Sequence, residues 1–416
     1  MIKTDSFTLK NGLKVLLHED INTPFLALNL MYKIGSANES SSLTGIAHFL
    51  EHMFFTGTEN FPNFDASLQI AGGDANAYTS SDVTSYYSQI PAKNAEVLLA
   101  LEADRMQHLN FKENAFNREK KVIIEEFKEQ YLMQPFGNMW HIARKEYYGD
   151  DHPYSWLPIG KSLEHIQNIQ LDNLIDFYHR FYHPQNACLA LAGNLPLQTM
   201  KEWVKRYFNF KTDGKMSRFP KIAFTPQKLD RKSELFKEDN VSEMRILWNI
   251  AMPPLFTKDY YIAEFWLHYF NSEEGSPLYD FLVNEMEWAT EVFAYHSESI
   301  AEGIFTLEIR GAELENLENI RNVLTKKIRS ILENGISKKI LLSILNKIQT
   351  ALLFEELSIE NKAHNMAFYG LLNKSENLIS ELNNYKNIHF SEINAWGQTI
   401  SKNAQHQVLY YIPKYD

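Results

Sequence analysis

The chain is nearly without cysteine. Cys188 is the only one in 416 residues, which excludes an internal disulfide framework and any cysteine-rich metal site. It lies in the apolar run Ala187-Cys188-Leu189-Ala190-Leu191-Ala192, which reads as a buried strand rather than as a place for a nucleophilic thiol. Long hydrophobic runs are missing too: no stretch approaches 18 consecutive apolar residues, so no membrane span is expected. Met1-Ile2-Lys3-Thr4-Asp5 has no hydrophobic signal core. The expectation is a cytoplasmic protein, with a periplasmic alternative if a signal peptide has been removed. Excess positive charge is also absent. The net charge of −11 argues against a general nucleic-acid binder and is compatible with cationic peptides as substrates.

The remaining composition is ordinary for a globular protein. Apolar residues at 44% suffice for a sizeable core, and the length fits two to three domains.

The stretch Gly45-Ile46-Ala47-His48-Phe49-Leu50-Glu51-His52-Met53-Phe54-Phe55 stands out. At 100° per residue, Ile46, Phe49, Leu50, Met53 and Phe54 form one stripe, and His48, Glu51, His52 and Phe55 form the opposite one. Imidazoles four apart on one helical face both reach a single Zn²⁺, which then needs further ligands from elsewhere. The order H-x-x-E-H is the inverse of the commoner H-E-x-x-H zinc motif. Taken alone, the pentapeptide fits a surface or packing histidine pair equally well.

The helix expected around residues 116 to 129 supplies acids. Glu119 and Glu126, seven apart, stack two turns apart on the flank of the side defined by Phe116, Lys120, Ile123 and Phe127. Glu125 points the other way. A carboxylate needed inside a site is therefore Glu126, with Glu119 one step behind. Solvated helix surface is the usual fate of such acids, and this helix by itself fits that reading.

Strands are expected at the hairpin around Asn11-Gly12, at 25–32, 75–80, 83–90, around Cys188, and at 235–236, 245–250, 291–296, 304–310 and 408–412. Helices are expected at 64–71, 95–106, 171–182, 198–207, 260–270, 278–286, 314–333 and 338–357. The polar segment 211–230, which holds Gly214, Pro220 and Pro226, reads as a linker. It separates an N-terminal domain, 1–210, from a C-terminal one, 231–416, whose order of elements loosely repeats the first and which lacks an H-x-x-E-H.

The chain resembles the pitrilysin family of zinc metallopeptidases (the inverzincins), in particular its short bacterial members and the mitochondrial processing peptidase subunits. The likeness rests on the motif stretch, Gly57-Thr58, Gly72-Gly73 with Asn76-Ala77-Tyr78-Thr79, Glu102-Ala103-Asp104-Arg105-Met106, Glu119 with Glu126, His152-Pro153-Tyr154, Ile159-Gly160 and Tyr182-His183-Pro184-Gln185-Asn186. The resemblance implies an α+β fold of two similar domains, each a mixed, mostly antiparallel sheet covered by helices, facing each other across a cleft. It implies one Zn²⁺ per chain held by His48, His52 and Glu126, with Glu51 as general base and Glu119 supporting the site. Asn76, Ala77 and Tyr78 would form the strand edge on which an extended peptide adds by backbone pairing.

One departure stands in the second half. Active single-chain members carry an Arg and a Tyr there that reach the bound peptide carbonyl. In Leu282-Val283-Asn284-Glu285-Met286-Glu287-Trp288-Ala289-Thr290 their places are taken by Met286 and Thr290, and neither donates a charge-assisted hydrogen bond. The resulting expectation is a zinc endopeptidase for peptides or unfolded segments that works with a homologous subunit supplying the pair, as a heterodimer, or as a homodimer. The alternatives are a non-catalytic scaffold subunit and a lone peptidase of low activity.

Overall fold

Strand alternation and helical stripes resolve into two mixed sheets. The computed structural model describes residues 4–212, 234–271, 275–297 and 299–414. The expected linker therefore lies mostly outside the described residues.

The first sheet has six strands: β1 (Asp5–Thr8), β2 (Lys14–Glu19), β3 (Phe25–Tyr32), β4 (Asp74–Thr79), β5 (Thr84–Pro91) and β6 (Ala187–Gly193). Their spatial order is β1-β2-β6-β3-β5-β4. Only β2 and β6 pair in parallel. The second sheet is built from β7 (Glu234–Asp239), β8 (Met244–Met252), β9 (Glu291–His296), β10 (Gly303–Ala312) and β11 (Gln407–Pro413), in the order β7-β11-β8-β10-β9. Only β7 and β11 pair in parallel. The second sheet thus reproduces, pair for pair and sense for sense, the β2-β6-β3-β5-β4 portion of the first. The loose repeat in the sequence is a repeat of topology.

The two compact units do not follow the 1–210 and 231–416 boundaries. One gathers Met1–Glu129, Trp156–Ile222 and Leu352–Glu381; the other gathers Gln130–Ser155, Ala223–Ala351 and Leu382–Asp416. The physical reason is how the sheet faces are covered. Leu16, Ala27, Met31, Cys188, Ala190 and Ala192 point to one face of the first sheet and are covered by Ile359, Ala363, Met366 and Ala367 of the helix Ile359–Leu371. The small residues of β6 leave a shallow surface on which this helix lies close. A Cβ on Gly370 would sit 2.6 Å from the Cys188 sulfur. Polar contacts at its margins fix the register: Lys362 Nζ to Asp20 at 2.6 Å, and Lys14 Nζ to the Gly370 carbonyl at 2.9 Å. In the second unit, Leu247, Leu409 and Tyr411 are covered by Phe136, Met139 and Ala143, from the stretch that carries the helix Met139–Tyr148. Neither of these covering helices, nor the helix Phe390–Asn403, is among those expected from the sequence.

Cys188 is fully buried in β6, and burial pushes its thiol up to about 12. No described helix is long and apolar enough to cross a membrane.

Candidate metal centre

The motif helix spans Ile46–Met53. It starts at Gly45, which has φ +97°, and a Cβ there would meet the Ile159 carbonyl oxygen at 2.8 Å, so both conformation and space require glycine. Its first N–H groups are met by a side chain from well upstream. Glu39 Oε2 accepts from Gly45 N–H at 3.0 Å, and Oε1 accepts from Ala47 N–H at 2.8 Å. Trp156 Nε1–H also donates to Oε2, at 3.2 Å. Burial pushes the Glu39 carboxyl up to about 8, while these three donors pull the other way.

The apolar stripe does what its spacing predicts. Phe49, Leu50, Met53 and Phe54 are wholly buried. Phe49 stacks on Phe116 at 5.1 Å between ring centroids, with the planes 3° apart. This contact seats the motif helix against the helix Glu113–Phe127, the element that carries Glu119 and Glu126. At the far end Phe54 stacks on Tyr86 at 4.5 Å. Tyr86 in turn lies under the guanidinium of Arg105, which is buried against Glu102 at 2.6 Å.

The opposite stripe converges on one point. One ligand atom each from His48, His52 and Glu126 lies within 4.8 Å of the others, the only such group among the described residues. His52 Nε2 is 3.5 Å and His48 Nε2 is 3.9 Å from the Glu126 carboxylate. His52 Nδ1 faces Glu119 at 3.6 Å. Glu125 extends away, 71% exposed and paired with Lys128 at 2.7 Å.

The electrostatics are those of an open cation site. Burial and the neighbouring His52 push the His48 imidazole down to about 4, against the pull of Glu126. Its Nδ1 is buried with no hydrogen-bond partner, and Nε2 is the nitrogen that faces Glu126. At His52, burial opposes the charged form, but the Glu126 hydrogen bond and charge, with Glu51 and Glu119 adding to them, outweigh it and raise its pKa. Two imidazole nitrogens and a carboxylate oxygen, with a second carboxylate behind one ring, form the donor set of a three-ligand Zn²⁺ site, and the residues present fit that ion.

Glu51 stands beside this group, 9% exposed, with its pKa raised by burial. The Thr79 hydroxyl donates to its Oε2. Asn76, Ala77 and Tyr78 lie on β4, at the open edge of the first sheet. Of these, Tyr78 turns its hydroxyl to His364 Nε2 at 2.7 Å, and Asn76 Oδ1 accepts from Ala77 N–H at 2.8 Å. In the second unit the Met286 side chain is exposed, and Thr290 donates through both N–H and hydroxyl to the Arg310 carbonyl, at 3.0 and 3.3 Å.

Sequence reasoning missed Glu39, Thr79 and His364. Glu39 sits six residues before Gly45, outside any capping spacing. Thr79 is next to the expected substrate edge, yet nothing in the pattern there ties it to Glu51.

The fold and the site together define a two-domain α+β protein with an inverted zinc motif on a helix of the first domain. Residues 14–141 match the Insulinase (Peptidase family M16) domain and residues 168–348 the Peptidase M16 inactive domain, so the chain belongs to the M16 (pitrilysin) family. It is 26% identical over 402 residues to an uncharacterized zinc protease, YmxG, of Bacillus subtilis (strain 168), covering 93% of each chain. It is 29% identical over 352 residues to the zinc protease PqqE of Helicobacter pylori (strain ATCC 700392 / 26695), covering 83% of this chain and 78% of that one. A crystal structure of a protease from Helicobacter pylori superposes with a TM-score of 0.89 at 26% identity, covering 99% of this chain and 100% of the other.

Proposed function

We propose that the protein is a zinc-dependent endopeptidase acting on peptides or unfolded polypeptide segments. The observation that carries this is the convergence of His48, His52 and Glu126 within 4.8 Å, with the Glu51 carboxylate on the same helix stripe. His48, His52 and Glu126 would hold the ion, and Glu119 would orient the His52 ring from the Nδ1 side. A Zn²⁺ bound there supplies a Lewis acid that acidifies water and polarises a carbonyl. Glu51 takes the proton of the attacking water and passes it to the departing amine. The peptide lies extended along β4, whose outer backbone groups are unpaired in the sheet, at Asn76, Ala77 and Tyr78.

Met286 and Thr290 offer no charged donor for the developing oxyanion, and loss of one such donor costs about 10² to 10³ in rate. We therefore assign full activity to a heterodimer with a homologous chain that carries the Arg and Tyr. The test is cleavage of unfolded peptides by the purified chain, with and without that relative. Full turnover by the chain alone, unchanged by the relative, contradicts the partnership; no cleavage in either arm contradicts the peptidase. A cytoplasmic location goes with this reading and is tested by cell fractionation, a periplasmic signal contradicting it.

A further inference from the structure

The residue on which the geometry bears furthest is Thr79, the last of β4. Its hydroxyl donates to Glu51 Oε2, and no other hydrogen bond reaches the Glu51 carboxylate from the described protein. Oε1 accepts from no described residue. A buried carboxylate with one oxygen anchored and the other open has the arrangement a general base needs, because the anchored oxygen fixes the direction of the free one.

Thr79 is itself held on its inner side. It pairs with Thr84 in the β4–β5 ladder. The turn that follows is closed by Ser80 N–H to the Val83 carbonyl at 2.8 Å. The turn is clasped from outside as well: the Ser80 and Ser81 carbonyls accept from Ser36 and Ala37 N–H, at 3.1 and 2.9 Å. These residues lead directly to Glu39, which holds the start of the motif helix. Both ends of the connection from the 36–39 segment therefore end on the same helix, one at its N-terminus through Glu39 and one at Glu51 through Thr79. Alternation along β4 places Tyr78 on the other face, against His364, so the two neighbours secure the strand from opposite sides.

We infer that Thr79 is a positioning residue for Glu51, and that through it the strand edge that receives the peptide sets the aim of the base. This rests on the peptidase reading above. Backbone pairing of a peptide to β4 steadies the strand whose last side chain holds the base, so the contribution of Thr79 falls on turnover rather than on affinity.

Two substitutions separate the donor from the shape. Thr79→Val keeps the branched form and removes the hydroxyl; Thr79→Ser keeps the hydroxyl. Thr79→Val should retain its zinc and keep KM within about twofold, while kcat falls by about tenfold to a hundredfold; Thr79→Ser should return kcat to within about threefold. A crystal structure of zinc-loaded Thr79→Val should show the Glu51 carboxylate turned from its wild-type direction. Unchanged kcat in Thr79→Val overturns the inference, as does an equal loss in Thr79→Ser. An unmoved Glu51 also overturns it. Loss of zinc together with turnover overturns it too, because Thr79 would then be holding the helix and not the base. If wild type cleaves no peptide with or without its relative, the peptidase reading fails by itself, and the crystal structure still decides the role of Thr79.

Discussion

Glu119 Oε2 lies 3.6 Å from His52 Nδ1, across the ring from the Nε2 that faces Glu126. Glu119 thus lies behind the ring, where in the proposed site it would orient the imidazole and favour a proton on Nδ1. Arg118 Nε donates to the other oxygen of Glu119 at 2.9 Å, so this carboxylate has a partner on each side. Glu119→Gln should weaken zinc binding by about tenfold to a hundredfold. Competition with a chelator of known affinity checks this, and unchanged affinity counts against it.

Glu126 and Glu125 are neighbours with different fates. The first faces both histidines, and the second is exposed and paired with Lys128. Glu126→Gln should purify without stoichiometric zinc, and Glu125→Gln should keep about one ion per chain. Elemental analysis of the two variants decides it; the reverse result would mean that the helix Glu113–Phe127 is rotated from the position described.

Glu51→Gln should retain zinc and fold, because the amide oxygen still accepts from Thr79. Its peptidase rate should fall by about 10² to 10⁴, the usual worth of a positioned base. Retained turnover with bound zinc would assign the proton to another group.

Burial sets the chemistry of the single thiol. The ordinary thiol value is near 9, and in the folded chain Cys188 is pushed up to about 12. The folded state therefore holds its proton more firmly than the unfolded chain does. That contribution to stability is fully present below pH 9 and is lost as pH rises from 9 toward 12. Native protein at pH 8 should resist a thiol-specific reagent, and denatured protein should react with one equivalent per chain. Rapid labelling of the folded protein would contradict the burial of β6.

The motif helix was legible because its packing is local. His48, Glu51 and His52 on one face, with an apolar stripe opposite, set how Ile46–Met53 is seated, while the metal reading needed Glu126 from another helix. The choice of Glu126 over Glu125 follows from the 100° step alone, and the structure separates them in that sense. Strands such as β3 and β6 were legible as unbroken apolar runs. The helix Ile359–Leu371 was not, because the face it buries is made largely of small residues, Ala363, Ala367 and Gly370, among Lys, His and Asn. The helix Phe390–Asn403 hides for the same reason: its buried positions are Ile393, Gly397 and Ser401, and Gly397 makes room for Trp266. Small residues mark close approach of two backbones, which periodicity of hydrophobic bulk does not register. Which sheet each helix covers is a pairing of residues far apart in the chain, and no local pattern encodes it.

The exchange of covering helices bears on how the chain is made. Vectorial synthesis ordinarily lets an N-terminal domain fold before the next one emerges. Here the face of the first sheet formed by Leu16, Ala27, Met31, Cys188, Ala190 and Ala192 waits for the helix Ile359–Leu371. The motif helix Ile46–Met53 leaves the ribosome long before the helix Ile359–Leu371, on which the closing of its unit depends. Until then that apolar face lacks the helix that covers it in the folded chain, the kind of surface that general chaperones hold. A fragment cut at the 211–230 segment would keep that face open permanently.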